Sequence, residues 1–258
     1  MTGKLETLIR DLRLRRGRER RGLTLAEGIR LVEEVIAARV PIRGAAVSPH
    51  LEGSARGRAL KTVLARAGKL AELDDRALAE LADTEHPQGV IAVIEPPHWG
   101  WDQLRNARGS VVVALDGVQD PGNVGTILRT AHGLGAGGMV ALPGTAELHN
   151  PKVLRASMGA LFRLPTFSAT AEELLEWAAG ANAELWVADA GGTPVGQADR
   201  STRRGPVCLV LGNEGAGVSA NLADRATQRL AVPLAPDSES LNVAVAAGIL
   251  LYEVVRER

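Results

Sequence analysis

The chain has 258 residues, enough for two domains of ordinary size, with 45% hydrophobic and 23% charged residues, the profile of a soluble globular protein. Thirty Lys and Arg balance 30 Asp and Glu, so net charge alone points to no polyanionic partner. A single cysteine, Cys208, excludes an internal disulfide and a multi-thiolate metal site. The first residues hold no apolar signal core, and the longest apolar run, Leu241–Tyr252, is too short for a bilayer, so a cytoplasmic protein with no membrane segment is expected.

Charge is unevenly spread: 19 basic against 15 acidic residues in 1–108, and 11 against 15 in 109–258. Any nucleic-acid contact is therefore expected in the first half. Residues 3–20 place Leu5, Leu8 and Leu12 on one face and read as a helix. Arg10, Arg13, Arg15, Arg16, Arg18, Arg20 and Arg21 crowd that stretch, as a solvated charged helix or as phosphate contacts. Thr24-Leu-Ala-Glu27 matches a capping box and predicts a helix to about Arg39, with Ile29, Val32, Val35 and Ile36 inward. Strands follow at Ile42–Val47, near Leu70 and over Gly89–Glu95, with helices over Ser54–Ala67 and Asp75–Leu81. This is a small α/β/α domain over 1–95. Residues 96–108, with two prolines opening the run and Trp99 and Trp101 within it, break every periodicity and read as a linker.

The pattern restarts in a second domain, 109–258. Ser110–Leu115 is an apolar, β-branched run suited to a strand buried on both faces. A loop over Asp116–Gly125 leads to a helix from about Thr126 to Gly133. Strands at Met139–Leu142, Pro165–Ser168, Glu184–Ala188, Pro206–Leu211 and Arg229–Leu234 alternate with helices at Pro151–Gly159, Glu172–Ala179 and from about Ser219. The last helix opens at Ser240-Leu241-Asn242. Val243, Val245, Ala246, Ile249, Leu250 and Tyr252 mark it as core, which puts Asn242 in its first turn as a buried amide in need of partners. Ser240 alone is explained as an N-cap. The whole is a mostly parallel α/β sheet with helices on both faces.

Three loops follow buried strands at their carboxyl ends, where such sheets bind ligands: Asp116–Gly125, Leu211–Gly217 and Leu234–Asn242. Gly133-Leu-Gly-Ala-Gly-Gly138 matches a dinucleotide fingerprint in letters, but it ends a helix and precedes a strand, the wrong context for an NAD-dependent oxidoreductase. No phosphate-binding loop of the GxxxxGK[ST] type and no GxSxG elbow is present, and the five histidines lie at no metal-ligand spacing. Asp116 and Asp120, beside a Pro-Gly turn, are read as bonding local backbone amides.

DPGNVGTILRTAHGLGA, LVLGNEGAGVS and VPLAPDSESLNVAVAAGILLYE resemble, in order, the three motifs of the SpoU (TrmH-like) family of RNA ribose 2′-O-methyltransferases in the SPOUT superfamily. More loosely, GLTLAEGIRLVEEVIAARVPIRGAAVS and LADTEHPQGVIAV are similar to that family's L30e-like substrate-binding domain. The resemblance implies a trefoil-knotted, SPOUT-type C-terminal domain that binds S-adenosylmethionine, needs no metal and forms a homodimer. It implies that Gly212, Val232 and Leu241 contact the cofactor through backbone groups and that Leu211, Leu234 and Ser240 line the same pocket. Asn123, Arg129 and Asn242, with Ser240, match the family's polar active-site residues, and Glu214 is read mainly as support for the loop or the dimer contact. Ala244 stands where many members have serine.

The expected substrate is structured RNA, with ribosomal RNA, 23S above all, favoured over tRNA. A tRNA 2′-O-methyltransferase and an RNA-binding protein without catalysis are the alternatives.

Overall fold

The computed structural model describes residues 2–66, 68, 70–104, 110–199, 205–237 and 240–255. Its contacts divide into two compact units, Met1–Pro97 with His149–Phe162, and His98–Leu148 with Arg163–Arg258.

In chain order the first unit has α1 (Thr2–Leu12), α2 (Arg15–Arg21), β1 (Thr24–Glu27), α3 (Ile29–Ala37), β2 (Ile42–Val47), α4 (Ala55–Arg66), β3 (Leu70–Glu72), α5 (Asp75–Leu81) and β4 (Val90–Ile94). The strands lie in the order β1-β4-β2-β3, with β4 antiparallel to β1 and β2, and β2 parallel to β3. Ile91 and Val93 of β4 pack with Ile9 and Leu12 of α1 and Leu78 and Leu81 of α5. Side chains alternate along a strand, so Ala92 and Ile94 point to the other face.

Two expectations fail here. The helix over residues 3–20 is two helices, broken where Leu14 is extended (φ −90°, ψ 137°). Close contact holds the break: a Cβ on Gly17 would lie 2.0 Å from Asp11 O. Arg18, 5% exposed, donates to Leu12 O at 2.8 Å and Arg13 O at 2.9 Å, answering carbonyls that end α1.

The capping box at Thr24–Glu27 is a strand. Thr24–Glu27 pairs with Ile94–Ile91, and the box side chains serve other backbones. Thr24 Oγ1 donates to His149 O at 2.6 Å, and Glu27 accepts from Asp83 N at 2.8 Å and Thr84 N at 3.2 Å. Gly28, at φ 96°, turns the chain into α3, whose first amide, Ile29 N, is capped by Gln88 Oε1 at 2.9 Å.

The second half of the chain has β5 (Val111–Asp116), α6 (Pro121–Gly133), β6 (Gly138–Ala141), α7 (Pro151–Ser157), β7 (Thr166–Ser168), α8 (Ala171–Gly180), β8 (Glu184–Pro194), β9 (Val207–Gly212), α9 (Ala220–Ala223), β10 (Gln228–Ala231) and α10 (Val243–Val255). Helix α7 belongs by its contacts to the first unit, where Arg155 Nη2 donates to Asp83 Oδ2 at 2.6 Å. The six strands form a wholly parallel sheet in the order β10-β8-β9-β5-β6-β7. Its core joins Val112, Ala114, Val140, Val187, Cys208 and Val210 of the central strands to Leu174 and Leu222. Burial pushes the Cys208 thiol up to about 12, so it is an inert core group. Trp101 packs against this core, edge-on to Phe167 at 4.9 Å and stacked on Trp177 at 5.9 Å. Residues 133–138 close α6 and lead into β6, with Gly135 at φ 74°.

No helix among the described residues is long and apolar enough to cross a membrane.

Candidate functional site

The site is built where β5, β9 and β10 end. Helix α6 starts five residues before the expected Thr126, because Asp120-Pro-Gly is a helix start and not a free turn. Pro121 occupies the first helical position, and the Asp120 carboxylate caps Asn123 N at 2.9 Å. Asn123 therefore sits in the first helical turn, half-buried. Arg129 lies on the exposed side of the same helix and has no hydrogen-bond or ion-pair partner among the described residues.

The glycine loop after β9 is fastened to the first loop. Asn213 and Gly217 exchange backbone hydrogen bonds at 3.0 and 2.9 Å. Asn213 Oδ1 accepts from Gly215 N and Ala216 N, and its Nδ2 donates to Gly117 O at 2.9 Å. Asp116 Oδ2 accepts from Ser219 N at 2.7 Å, a backbone amide 103 residues away and not the local one expected; only Asp120 bonds a local amide. Gly212 has no room for a side chain, since a Cβ there would lie 2.2 Å from Gly217 C. The sequence did not single out Asn213; its place between two turning glycine segments was the available signal.

Asn242 corrects the sequence reading. It is exposed, and it caps α10 instead of lying buried within it: its Oδ1 accepts from Ala244 N at 2.9 Å and Val245 N at 3.3 Å. Ser240 lies two residues before the cap. The inward face of α10 is Ala244, Ala247, Leu250, Leu251 and Val254, while Val245, Ile249 and Tyr252 are 51%, 38% and 54% exposed.

Asn242 Nδ2 donates to Asn123 Oδ1 at 3.0 Å, and Asn123 Nδ2 donates to Glu214 Oε1 at 2.9 Å. The direction of this chain follows from its ends. Backbone amides only donate, so Asn242 must turn Oδ1 to the helix and Nδ2 to Asn123. A carboxylate only accepts, so Asn123 must turn Nδ2 to Glu214. The two amides are thus locked in orientation by a helix terminus at one end and a carboxylate at the other.

Beside this chain lies a cavity of about 490 Å³. Leu211, Gly212, Val232, Leu234, Ser240 and Leu241, all picked out from the sequence, line it, together with Glu214, Asp189 and Arg229. Asn123, Arg129 and Asn242 are not in its lining, so the polar chain meets the cavity through Glu214 and through Leu241, next to Asn242. Apolar walls, turns of open backbone and a few convergent polar groups suit a mid-sized ligand with an apolar ring. Those are the properties of S-adenosylmethionine, and the volume is adequate for it. Among the described residues there is no group of three or more His, Cys, Asp and Glu that could hold a metal ion.

Comparison with known proteins covers both halves of the chain. Residues 110–252 match the model of the SpoU rRNA Methylase family, and residues 7–92 match that of the MRM3-like substrate binding domain. The chain is 37% identical over 183 residues to the 23S rRNA (guanosine(2553)-2′-O)-methyltransferase of Bacillus subtilis (strain 168), covering 70% of this chain and 71% of that one. It is 32% identical over 252 residues to the 23S rRNA (uridine(2479)-2′-O)-methyltransferase of Streptomyces viridochromogenes, covering 95% and 86%. The crystal structure of a SpoU methyltransferase from Streptomyces viridochromogenes in complex with the cofactor AdoMet superposes with a TM-score of 0.86 at 29% identity, covering 100% of this chain and 98% of that one.

Proposed function

The chain belongs to the SpoU rRNA Methylase family, and from that premise we propose that it transfers the methyl group of S-adenosylmethionine to a ribose 2′-hydroxyl of ribosomal RNA. The observation that carries the reading to individual residues is the chain Asn242–Asn123–Glu214, anchored at one end in the wall of the 490 Å³ cavity. A relative matched over 95% of this chain, and so over both halves, is named for 23S rRNA, which supports that substrate over tRNA. A cytoplasmic location belongs to the same proposal.

The cofactor supplies a methyl group made electrophilic by its sulfonium. The protein's part is to hold a ribose oxygen in line with it and to ease loss of the 2′-proton. Gly212, Val232 and Leu241 present backbone groups to the cofactor, and Leu211, Leu234 and Ser240 complete its pocket. Asn123 and Asn242 define where the ribose sits, their amides fixed as described. Arg129 stabilises the developing alkoxide or the adjacent phosphate; a guanidinium stays protonated and so is an electrostatic group here, not a base. Residues 1–95 are the RNA-binding unit, a role supported by the match over residues 7–92 and by the excess of basic residues there.

A homodimer and a knotted C-terminal path belong to the same reading. Val245, Ile249 and Tyr252 recur at helical spacing as one uncovered apolar face, which a second copy would bury. Helix α10 lies against α6 through Gly248, where a Cβ would be 3.8 Å from Thr130 Cγ2, and Arg129 is an exposed residue of α6. Val232, Leu234, Ser240 and Leu241 line one cavity with Leu211 and Gly212 of β9, and α10 then packs on α6, which supports the knot.

The test is incubation of the protein with radiolabelled cofactor and unmodified total RNA, followed by mapping of alkali-resistant 2′-O-methyl positions. Label is expected in 23S rRNA. Label in tRNA alone would move the substrate, and no label in any RNA would overturn the enzyme.

A further inference from the structure

The cavity has a charged wall that the methyl-transfer scheme leaves unused. Strand β8 pairs with β9 as far as Val187 and rejoins β10 at Thr193. Residues 188–192 leave the ladder between those points, and Ala188, Asp189 and Ala190 line the cavity. The excursion is sterically set, because a Cβ on Gly192 would lie 2.6 Å from Arg229 C and O. Asp189 Oδ1 accepts from Gly191 N at 2.9 Å, and Oδ2 accepts from Arg229 Nη1 at 3.1 Å. Arg229, also in the lining, braces its other terminal nitrogen on Ala223 O at 2.9 Å.

We propose that Asp189 is the group that recognises the ribose diol of the cofactor, with Arg229 as the positioning residue that holds its carboxylate in place. This rests on the cofactor reading above. Each carboxylate oxygen has spent one lone pair on the protein and keeps another, so Asp189 presents two acceptors from the cavity wall. A vicinal diol offers two matching donors. The zwitterionic amino-acid tail fits worse. Two of the five N–H donors of Arg229 are already engaged, and the tail's carboxylate would sit close to the like charge of Asp189. The pair is neutral as a unit, which suits a neutral diol. Position agrees: Asp189 follows the body of β8, two strands from β5 in the order β8-β9-β5, and lines the cavity, whereas Asn123, beyond β5, does not. The methyl must face Asn123, which leaves the nucleoside for Asp189. The Gly191 amide, and next the Arg229 guanidinium, hold the Asp189 carboxyl below the ordinary carboxylate range, so it is an ionised acceptor at neutral pH.

The experiment is calorimetry on the full chain with S-adenosylhomocysteine, its 2′-deoxy form, and 5′-methylthioadenosine, which keeps the nucleoside and lacks the tail. On the unaltered chain the 2′-deoxy ligand is expected to bind about tenfold more weakly than S-adenosylhomocysteine, the scale of one hydrogen bond to a charged acceptor. Asp189→Asn keeps an acceptor for Gly191 N. It is expected to weaken S-adenosylhomocysteine and 5′-methylthioadenosine equally, and to erase most of the 2′-deoxy difference. Loss confined to S-adenosylhomocysteine would assign Asp189 to the ammonium of the tail and overturn the proposal. Equal loss for all three ligands would reduce Asp189 to a structural role and overturn it as well. The comparison on the unaltered chain stands even if the variant fails to fold, since equal binding with and without the 2′-hydroxyl is itself a refutation. Binding of none of the three ligands by the unaltered chain would instead bring down the cofactor reading on which this rests.

Discussion

Helices α1 and α2 are dense in arginine, and α10 is almost wholly apolar, yet composition misstates what each leaves for a ligand. In the first pair the charge is largely answered from within. Arg18 is buried against the end of α1, Arg20 and Arg21 bind Asp11, Arg15 binds Glu19, and Arg13 donates to Glu80 O at 3.1 Å. Helix α10 should by composition vanish into the core, but one face stays uncovered. On α6, against which α10 packs, Arg129 is exposed and without a partner among the described residues. A group is available to a partner when the fold leaves it unanswered, and the density of such groups in a sequence does not report that.

The sharpest way to break this contrast is to remove one arginine from each region. Arg129→Ala is expected to lower methyl transfer by about a thousandfold, the upper end for loss of a donor to a developing oxyanion. Arg20→Ala should leave the rate within about twofold, because its ion pair with Asp11 is exposed and worth little. Single-turnover assays on 23S rRNA read both, and equal losses would end the distinction. Arg129→Lys refines the first result: full activity would show that charge suffices, and loss that the planar fork is required.

Next in size is Asn242→Asp. The new side chain can still accept from Ala244 N and Val245 N, so α10 keeps a good cap and the melting temperature should hold or rise. What it loses is the donor to Asn123. Methyl transfer is expected to fall about a hundredfold, on the order of one positioned polar group. A variant that loses activity only in proportion to a lost fold would make Asn242 a cap and nothing more.

The uncovered face of α10 gives the third effect. Ile249→Glu places an unpaired charge in the middle of the Val245–Ile249–Tyr252 stripe. If a second copy covers that stripe, dimer dissociation should strengthen by roughly thirtyfold, about 2 kcal/mol. Light scattering across a concentration series reads this. An unchanged association constant would remove the stripe from the dimer contact.

How far the site could be read in the sequence follows the range of its contacts. Strands β5 and β9 were plain because both faces are buried and the runs VVVAL and VCLVLG are continuous. The three loops were visible because glycines and polar residues cluster at strand ends. The link between them was not, since Asn123 meets Glu214 and Asn242 across 91 and 119 residues of sequence. Thr24–Glu27 was misread for the same reason: a capping box and a short strand can share four letters, and the partner that decides, Ile91–Ile94, is distant. Asn242 was misplaced because an apolar helix was equated with a covered one. The start of α6 was missed although its signal was local, Asp120 before Pro121, because Pro-Gly also spells a turn. Helix α7 gave no sign that it would pack with the first unit, where Arg155 meets Asp83 and His149, just before the helix, accepts from Thr24, both partners remote in sequence.

The smallest effect tests the claim that the arginines of α2 are engaged in the fold. Asp11 accepts from Arg20 Nη2 at 2.8 Å and Arg21 Nε at 2.5 Å, and its carboxyl lies below its ordinary value of 3.8, first through Arg21 and then Arg20. A carboxylate lowered by folding favours the folded state above its ordinary value, and that contribution disappears as pH falls through the lowered one. Asp11→Asn should therefore melt slightly below the unaltered chain at neutral pH. The gap should close as the pH drops below 3.8, where the native carboxyl is also losing its charge. Because both arginines are exposed, the gap should shrink with added salt as well. A gap that ignores both pH and salt would mean that Asp11 acts through shape at the α1–α2 break, beside Gly17, and that Arg20 and Arg21 are free for RNA after all.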